Sequence, residues 1–235
     1  MEENKNEEQN KKETNVSTEE IKKETVDTVN QVKETIKNVD IKKDAKEATG
    51  FVSSMFKDPF GTIKQIVNDN TNKYFKIAII FMITWIVAIF IGSLLATTPM
   101  HRFSFNLAFK QILSIIKAVV APLIAVIVLS GIIYLMNKEN KKSIVTIITA
   151  IVTAKIPSII ATVVSLLTII DYKVSYITAP FSSLCNVISI ILMYFATKSI
   201  FGEEQNSKFF KKFVIIETIY YVIYIVVSFL GINIR

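Results

Sequence analysis

Residues 74–95 read YFKIAIIFMITWIVAIFIGSLL, and this stretch decides the fold. Coiled as a helix at 1.5 Å per residue it is about 33 Å long, which matches the roughly 30 Å hydrocarbon core of a bilayer. Its one charge, Lys76, stands at the entrance beside Tyr74, and Trp85 lies inside the run. Four comparable runs follow, at about 112–136, 143–170, 178–197 and 213–231, separated by short polar gaps. No soluble domain of this size needs five such stretches. In hydrocarbon every backbone polar group must be satisfied within its own segment, so each run is expected to be a helix. The fold class read from the chain is therefore all-α: a five-span transmembrane helical bundle preceded by a polar tail and a juxtamembrane amphipathic helix.

Composition agrees once it is divided at Tyr74. Residues 1–73 carry 13 of the 27 basic and 15 of the 20 acidic side chains, so the net +7 divides into −2 for the tail and +9 for the membrane half. In a soluble protein that charge would invite a nucleic-acid reading. Here the lysines flank spans, where they meet headgroups and anionic lipid, and no nucleic-acid partner is expected. Cys185 is the only cysteine, which excludes an intrachain disulfide and a thiolate cluster. Residues 1–10 hold no apolar h-region, so the first span is expected to act as its own insertion signal.

The tail divides into parts. Residues 1–50 form a polar, largely disordered cytoplasmic region, because Glu, Lys, Asn and Gln bury too little to offset the entropy of ordering. Within it a Lys-Glu-Thr triplet at Lys12 recurs at Lys23 and Lys33, with a thin apolar stripe through Ile21, Val26, Val29 and Ile36. That pattern predicts an intermittent solvated helix, or a short coiled-coil contact with a partner. Residues 51–73 are an amphipathic segment, with Phe51, Met55, Phe56, Phe60, Ile63 and Ile66 on one half of a helical wheel and Ser53, Lys57, Lys64 and Gln65 on the other. Asp58-Pro59 should cap one helix and start another. The apolar face is expected to lie in the headgroup plane or to pack on the bundle.

Lysine and arginine counts set the orientation. Alternating crossings put ten basic residues on one side, among them Lys73, Lys76, Lys141, Lys142, Lys211 and Lys212, and only Arg102, Lys110, Lys173 and Arg235 on the other. The bias repeats in every gap and places the N-terminus in the cytoplasm and the C-terminus outside. Heavy use of Lys, Asn and Ile points to a bacterial cytoplasmic membrane.

Few residues in the spans offer chemistry. Lys155 falls about 18 Å into the third run, near the midplane, where a lysine is costly unless it is paired or hydrated. One reading is a contact to an ion, proton or headgroup in a cavity. The other is a kink at Pro157 that frees carbonyls for the ammonium. Asn186 lies mid-span in the fourth run, where it is expected to hydrogen-bond a neighbouring helix. Glu217 lies one turn inside the fifth, where it is expected to reach the interface or bond Lys211 or Lys212 in a structural role; a Lys155–Glu217 pair would require closing about 10 Å of depth by helix tilt. Lys117 is expected to snorkel outward, and Pro122 to kink the second span. Tyr220, Tyr221 and Tyr224 are expected in the core, with a substrate groove the lesser alternative. His101 is the only histidine, so neither a metal nor a cofactor is expected, and no nucleotide-binding or hydrolase motif is present.

Lys57-Asp58-Pro59-Phe60 before the first span, and Ala154-Lys155-Ile156-Pro157-Ser158 in the third, resemble the Yip1 family of small polytopic membrane proteins in its bacterial branch. The resemblance covers about residues 51–230. The chain lacks the Asp-Leu-Tyr-Gly-Pro segment of eukaryotic members, and Lys155 stands where many relatives carry an aromatic residue. The resemblance implies a helical membrane protein without catalysis. The expected function is accordingly a non-enzymatic organiser of membrane or protein complexes, recruiting partners through its tail. The alternative is a small transporter or permease subunit with a polar path through Lys155, Asn186 and Glu217.

Overall fold

The computed structural model describes residues 23, 26–31, 33–34, 37, 41–69, 73–96, 105–137, 140, 142–202 and 206–229. Contacts divide the chain into two units, 1–40 and 41–235. In the first, the described residues are helical, and Val26 and Val29 are exposed. The second contains α1 (Ile41–Lys57), α2 (Pro59–Asn68), α3 (Lys73–Ala96), α4 (Phe105–Met136), α5 (Ile144–Ala154), α6 (Ile156–Ser165), two short 3₁₀ turns, α7 (Ser175–Phe201) and α8 (Asn206–Phe229). No strand occurs among the described residues.

The all-helical class expected from the runs of apolar residues is what the structure has. Among the described residues, three stretches are long and apolar enough to cross a membrane, Lys73–Leu95, Phe109–Met136 and Tyr172–Phe201; α8, at the expected fifth run, is not one of them. The pair Ile144–Ala154 and Ile156–Ile169 qualifies as a fourth if its 48° bend falls within one span. The bend was expected near Pro157, and the break falls at Lys155, two residues earlier. Proline has no N–H to give to the carbonyl four residues back, so the last regular turn closes before it. The Lys155 N–H still donates to the carbonyls of Ile151 and Val152, both at 3.1 Å. At Pro122, in contrast, α4 runs on without interruption.

The bundle is organised around α5. Val145, Thr146, Ile147 and every residue from Thr149 to Ala154 are buried, so this helix meets protein on all sides, as its uniformly apolar sequence requires. Thr149 donates its hydroxyl to the Val145 carbonyl at 2.7 Å, and the Thr146 hydroxyl lies 3.0 Å from that of Ser143. Around it stand α3, α4 and α7, with α6 against α7 and α8 against α4. Outward faces keep large apolar side chains exposed, including Val87, Phe90, Ile112, Ile127, Ile191 and Val226. Lipid, rather than water, suits such a surface.

Helices α1 and α2 cover one end. Asp58 caps α2, its carboxylate accepting from the Gly61 N–H at 2.9 Å, with Pro59 at the first helical position as its sequence predicts. The apolar face packs inward: Phe51, Met55, Ile63, Ile66 and Val67 are buried in the bundle core, while Phe56 and Phe60 stay exposed. Lys142, before α5, donates its ammonium to the Val67 carbonyl at 2.9 Å, and Asn140 donates its amide to the Phe201 carbonyl at the end of α7. Gly202 closes α7 in the left-handed conformation (φ 63°). The α2 end, the α4–α5 connection and the α7 end thus meet at one end of the bundle, as alternating crossings require.

Candidate intramembrane polar cleft

The break between α5 and α6 leaves Lys155 outside regular helix, at the C-terminal end of α5, where carbonyls without intrahelical partners favour a cation. Irregular backbone at such depth persists only inside protein or along a polar cavity. Both conditions hold. Ile151, Ala154 and Ile156 around the break are almost completely buried, and Lys155 itself lines a cleft of about 1170 Å³.

Four further elements contribute to that cleft: α3 through Trp85, α4 through Lys117, α7 through Asn186, and α8 through Glu217, Tyr220 and Tyr221. From α6 come Ser158, Thr162 and Ser165. Along their helices, Ser165 and Ser182 lie farther from the end covered by α1 and α2, and Leu129, Met193 and Phe213 lie nearer to it.

Hydrogen bonds hold the α6 wall in place. Pro157 directs the chain so that the Ser158 N–H donates to Ser189 Oγ at 3.1 Å, across to α7. The Ser158 hydroxyl donates to Asn186 Oδ1 at 2.8 Å and lies 2.8 Å from the Ser189 hydroxyl. Asn186 therefore bonds a neighbouring helix, as expected of an intramembrane amide, and also borders the cleft. Lys155 and Glu217 interact electrostatically and line the same cleft. The depth difference expected between them does not keep them apart, because the bend at Lys155 and the placement of α8 against α4 bring both to one space.

The four residues singled out in the sequence are thus gathered at one place: Lys155, Asn186 and Glu217 line the cleft, and Pro157 sets the break beside it. Lys117, expected to snorkel outward, borders the cleft and is half-buried. Tyr220 and Tyr221, expected in the core, border it too, their rings 6.0 Å apart at 73°. The side chain of Tyr224, and all of His101, lie outside the described residues. Sequence reasoning missed Ser158 and Ser189 as a polar pair; the signal was a serine directly after Pro157, matched by Asn186 and Ser189 one turn apart on α7.

Comparison with curated proteins and with solved structures found no match. The family model of the Yip1 domain matches residues 53–231, which takes in all the helices that build the cleft. The chain belongs to the Yip1 family.

Proposed function

We propose that this chain is a permease-type membrane protein, with the cleft around Lys155 serving as the binding and passage site for a small charged ligand. One observation carries this reading: Lys117, Lys155, Asn186 and Glu217, on separate elements of an apolar bundle, line a single cleft large enough for a small ligand. Charged side chains so placed are costly, and a bundle serving only as an anchor has no use for them. A helix broken at mid-depth with a charged residue at the break is also the architecture by which transporters hold ions and substrates.

In this reading the bundle has five spans. With 24 residues, α8 is about 36 Å long, enough to complete the fifth crossing. The N-terminus lies in the cytoplasm and the C-terminus outside, by the lysine asymmetry, in a bacterial cytoplasmic membrane. In the same reading the cleft is reached from the outer face. Recruitment of partners through residues 1–50 is the second reading; what supports it is the packing of α1 and α2 onto the bundle core.

The test is flux in proteoliposomes of the full chain, with inorganic phosphate, glycerol 3-phosphate, glycine and choline as solutes. At least one solute is expected to move, and its movement should be lost in Lys155→Leu and kept in Lys173→Gln, an exposed position outside the cleft. No solute moved above protein-free vesicles, or movement indifferent to Lys155, contradicts the proposal. Deletion of residues 1–50 tests the second reading: a crosslinked partner retained by the truncated chain overturns it.

A further inference from the structure

We infer that the ligand is a membrane amphiphile with a singly anionic phosphodiester headgroup, entering the cleft sideways from the bilayer between α7 and α8. This rests on the reading of the cleft as a ligand site. Three features of the cleft carry it.

The first is charge. Lys117 and Lys155 against Glu217 leave the lining with one positive charge in excess, which a monoanion neutralises. A zwitterion would leave that charge unmatched. Ser114 and Ser182 add hydroxyls to the lining that suit phosphate oxygens, whereas Ser158, Thr162 and Ser165 already donate to Asn186 Oδ1, the Ser158 carbonyl and the Thr162 carbonyl.

The second is the opening. Among the described residues, ring contacts join α7 to α8 at Tyr194 with Phe209 and Phe213, each at 5.1 Å, and at Phe201 with Phe209 at 6.2 Å. Farther from that end, the residues of the two helices border the cleft instead. Ile190 of α7 is 61% exposed and Tyr221 of α8 is 60% exposed, although both line it. The cleft wall is therefore continuous with the lipid-facing surface.

The third is composition. Ile89, Ala118, Ala121, Ile190 and Met193 give the cleft an apolar share that a free inorganic anion would not use and an acyl-glycerol segment would. A lipid satisfies both parts at once, its headgroup at the lysines and its chains left in the bilayer.

Trp85, the only tryptophan in the chain, borders the cleft and serves as its reporter. The full chain is reconstituted in phosphatidylcholine vesicles doped with phosphatidylglycerol or phosphatidylcholine brominated on the acyl chain, and quenching of Trp85 is read at equal mole fraction. Brominated phosphatidylglycerol is expected to quench in preference to brominated phosphatidylcholine. That preference should fall about tenfold in Lys155→Gln, return in Lys155→Arg, and persist in Lys173→Gln, outside the cleft. Equal quenching by the two lipids, or a preference that survives Lys155→Gln, overturns the inference. Iodide separates the levels. If iodide quenches Trp85 in a Lys155-dependent way while the lipids are not distinguished, the lipid is wrong and the polar ligand site stands. If neither iodide nor lipid quenching depends on Lys155, both fall. Unchanged circular dichroism in Lys155→Gln and Lys155→Arg shows that the variants compared are folded.

Discussion

The Ser158 hydroxyl donates to Asn186 Oδ1 at 2.8 Å, tying the helix that follows the break to the next span at the level of Lys155. The Ser158 N–H and hydroxyl also meet Ser189, so one residue of α6 makes two side-chain contacts with α7. Ser158→Ala removes the hydroxyl and leaves the N–H bond. It should lower stability by about 1 kcal/mol, the ordinary worth of a hydrogen bond between membrane helices. Combined with Asn186→Ala the loss should be less than additive, because both changes remove the same bond. Unfolding in mixed micelles with increasing dodecyl sulfate measures both.

Lys155 and Glu217 should be coupled. Either charge alone in the cleft loses its counter-charge, so Lys155→Leu and Glu217→Leu are each expected to destabilise the bundle by about 1–2 kcal/mol. The double substitution should cost less than the sum, and the double-mutant cycle gives the coupling directly. Strict additivity would mean that the two do not act on each other.

Asp58 and Gly61 form one device. A Cβ on Gly61 would stand 2.0 Å from Asp58 Oδ2, so the cap exists only because residue 61 has no side chain. Asp58→Ala and Gly61→Ala are each expected to cost about 1 kcal/mol, and together little more than one alone, since both abolish the same N-cap. The same unfolding assay reads the result.

Gly202 should resist replacement for a different reason. Its backbone lies at φ 63°, and Gly202→Ala is expected to cost about 1 kcal/mol through the left-handed conformation alone. A Cβ there would sit 3.4 Å from the Asn140 amide, which is ordinary contact, so Asn140 need not move.

Much of this architecture was legible because lipid imposes a simple code. Runs of apolar residues became helices near the expected places, Asp58-Pro59 became a cap and a helix start, and Pro157 marked a break. Helix ends were the weaker point: α4 begins at Phe105, ahead of the apolar run at 112, since a helix need not stop where hydrocarbon does. The cleft was only half legible. Lys155, Asn186 and Glu217 drew notice one at a time because a charge or amide in a span is conspicuous. Their convergence depends on a 48° bend and on which helices are neighbours, and neither quantity has a local signature in the residues. The place of Lys117 in the lining was illegible for the same reason: position along a helix gives depth, whereas the neighbours of a side chain depend on which helices stand beside it.

The central claim is that Lys155, though deep in the bundle, borders a polar space open to one side of the membrane. The direct measurement is the reactivity of Lys155→Cys in a Cys185→Ala background toward a charged, membrane-impermeant thiosulfonate, using sealed vesicles of known orientation. Modification is predicted from the face opposite the N-terminal helices, with Ile147→Cys, fully buried on the preceding helix, left unmodified. A Lys155→Cys protein as inert as Ile147→Cys from both faces, while folded and inserted, would contradict it.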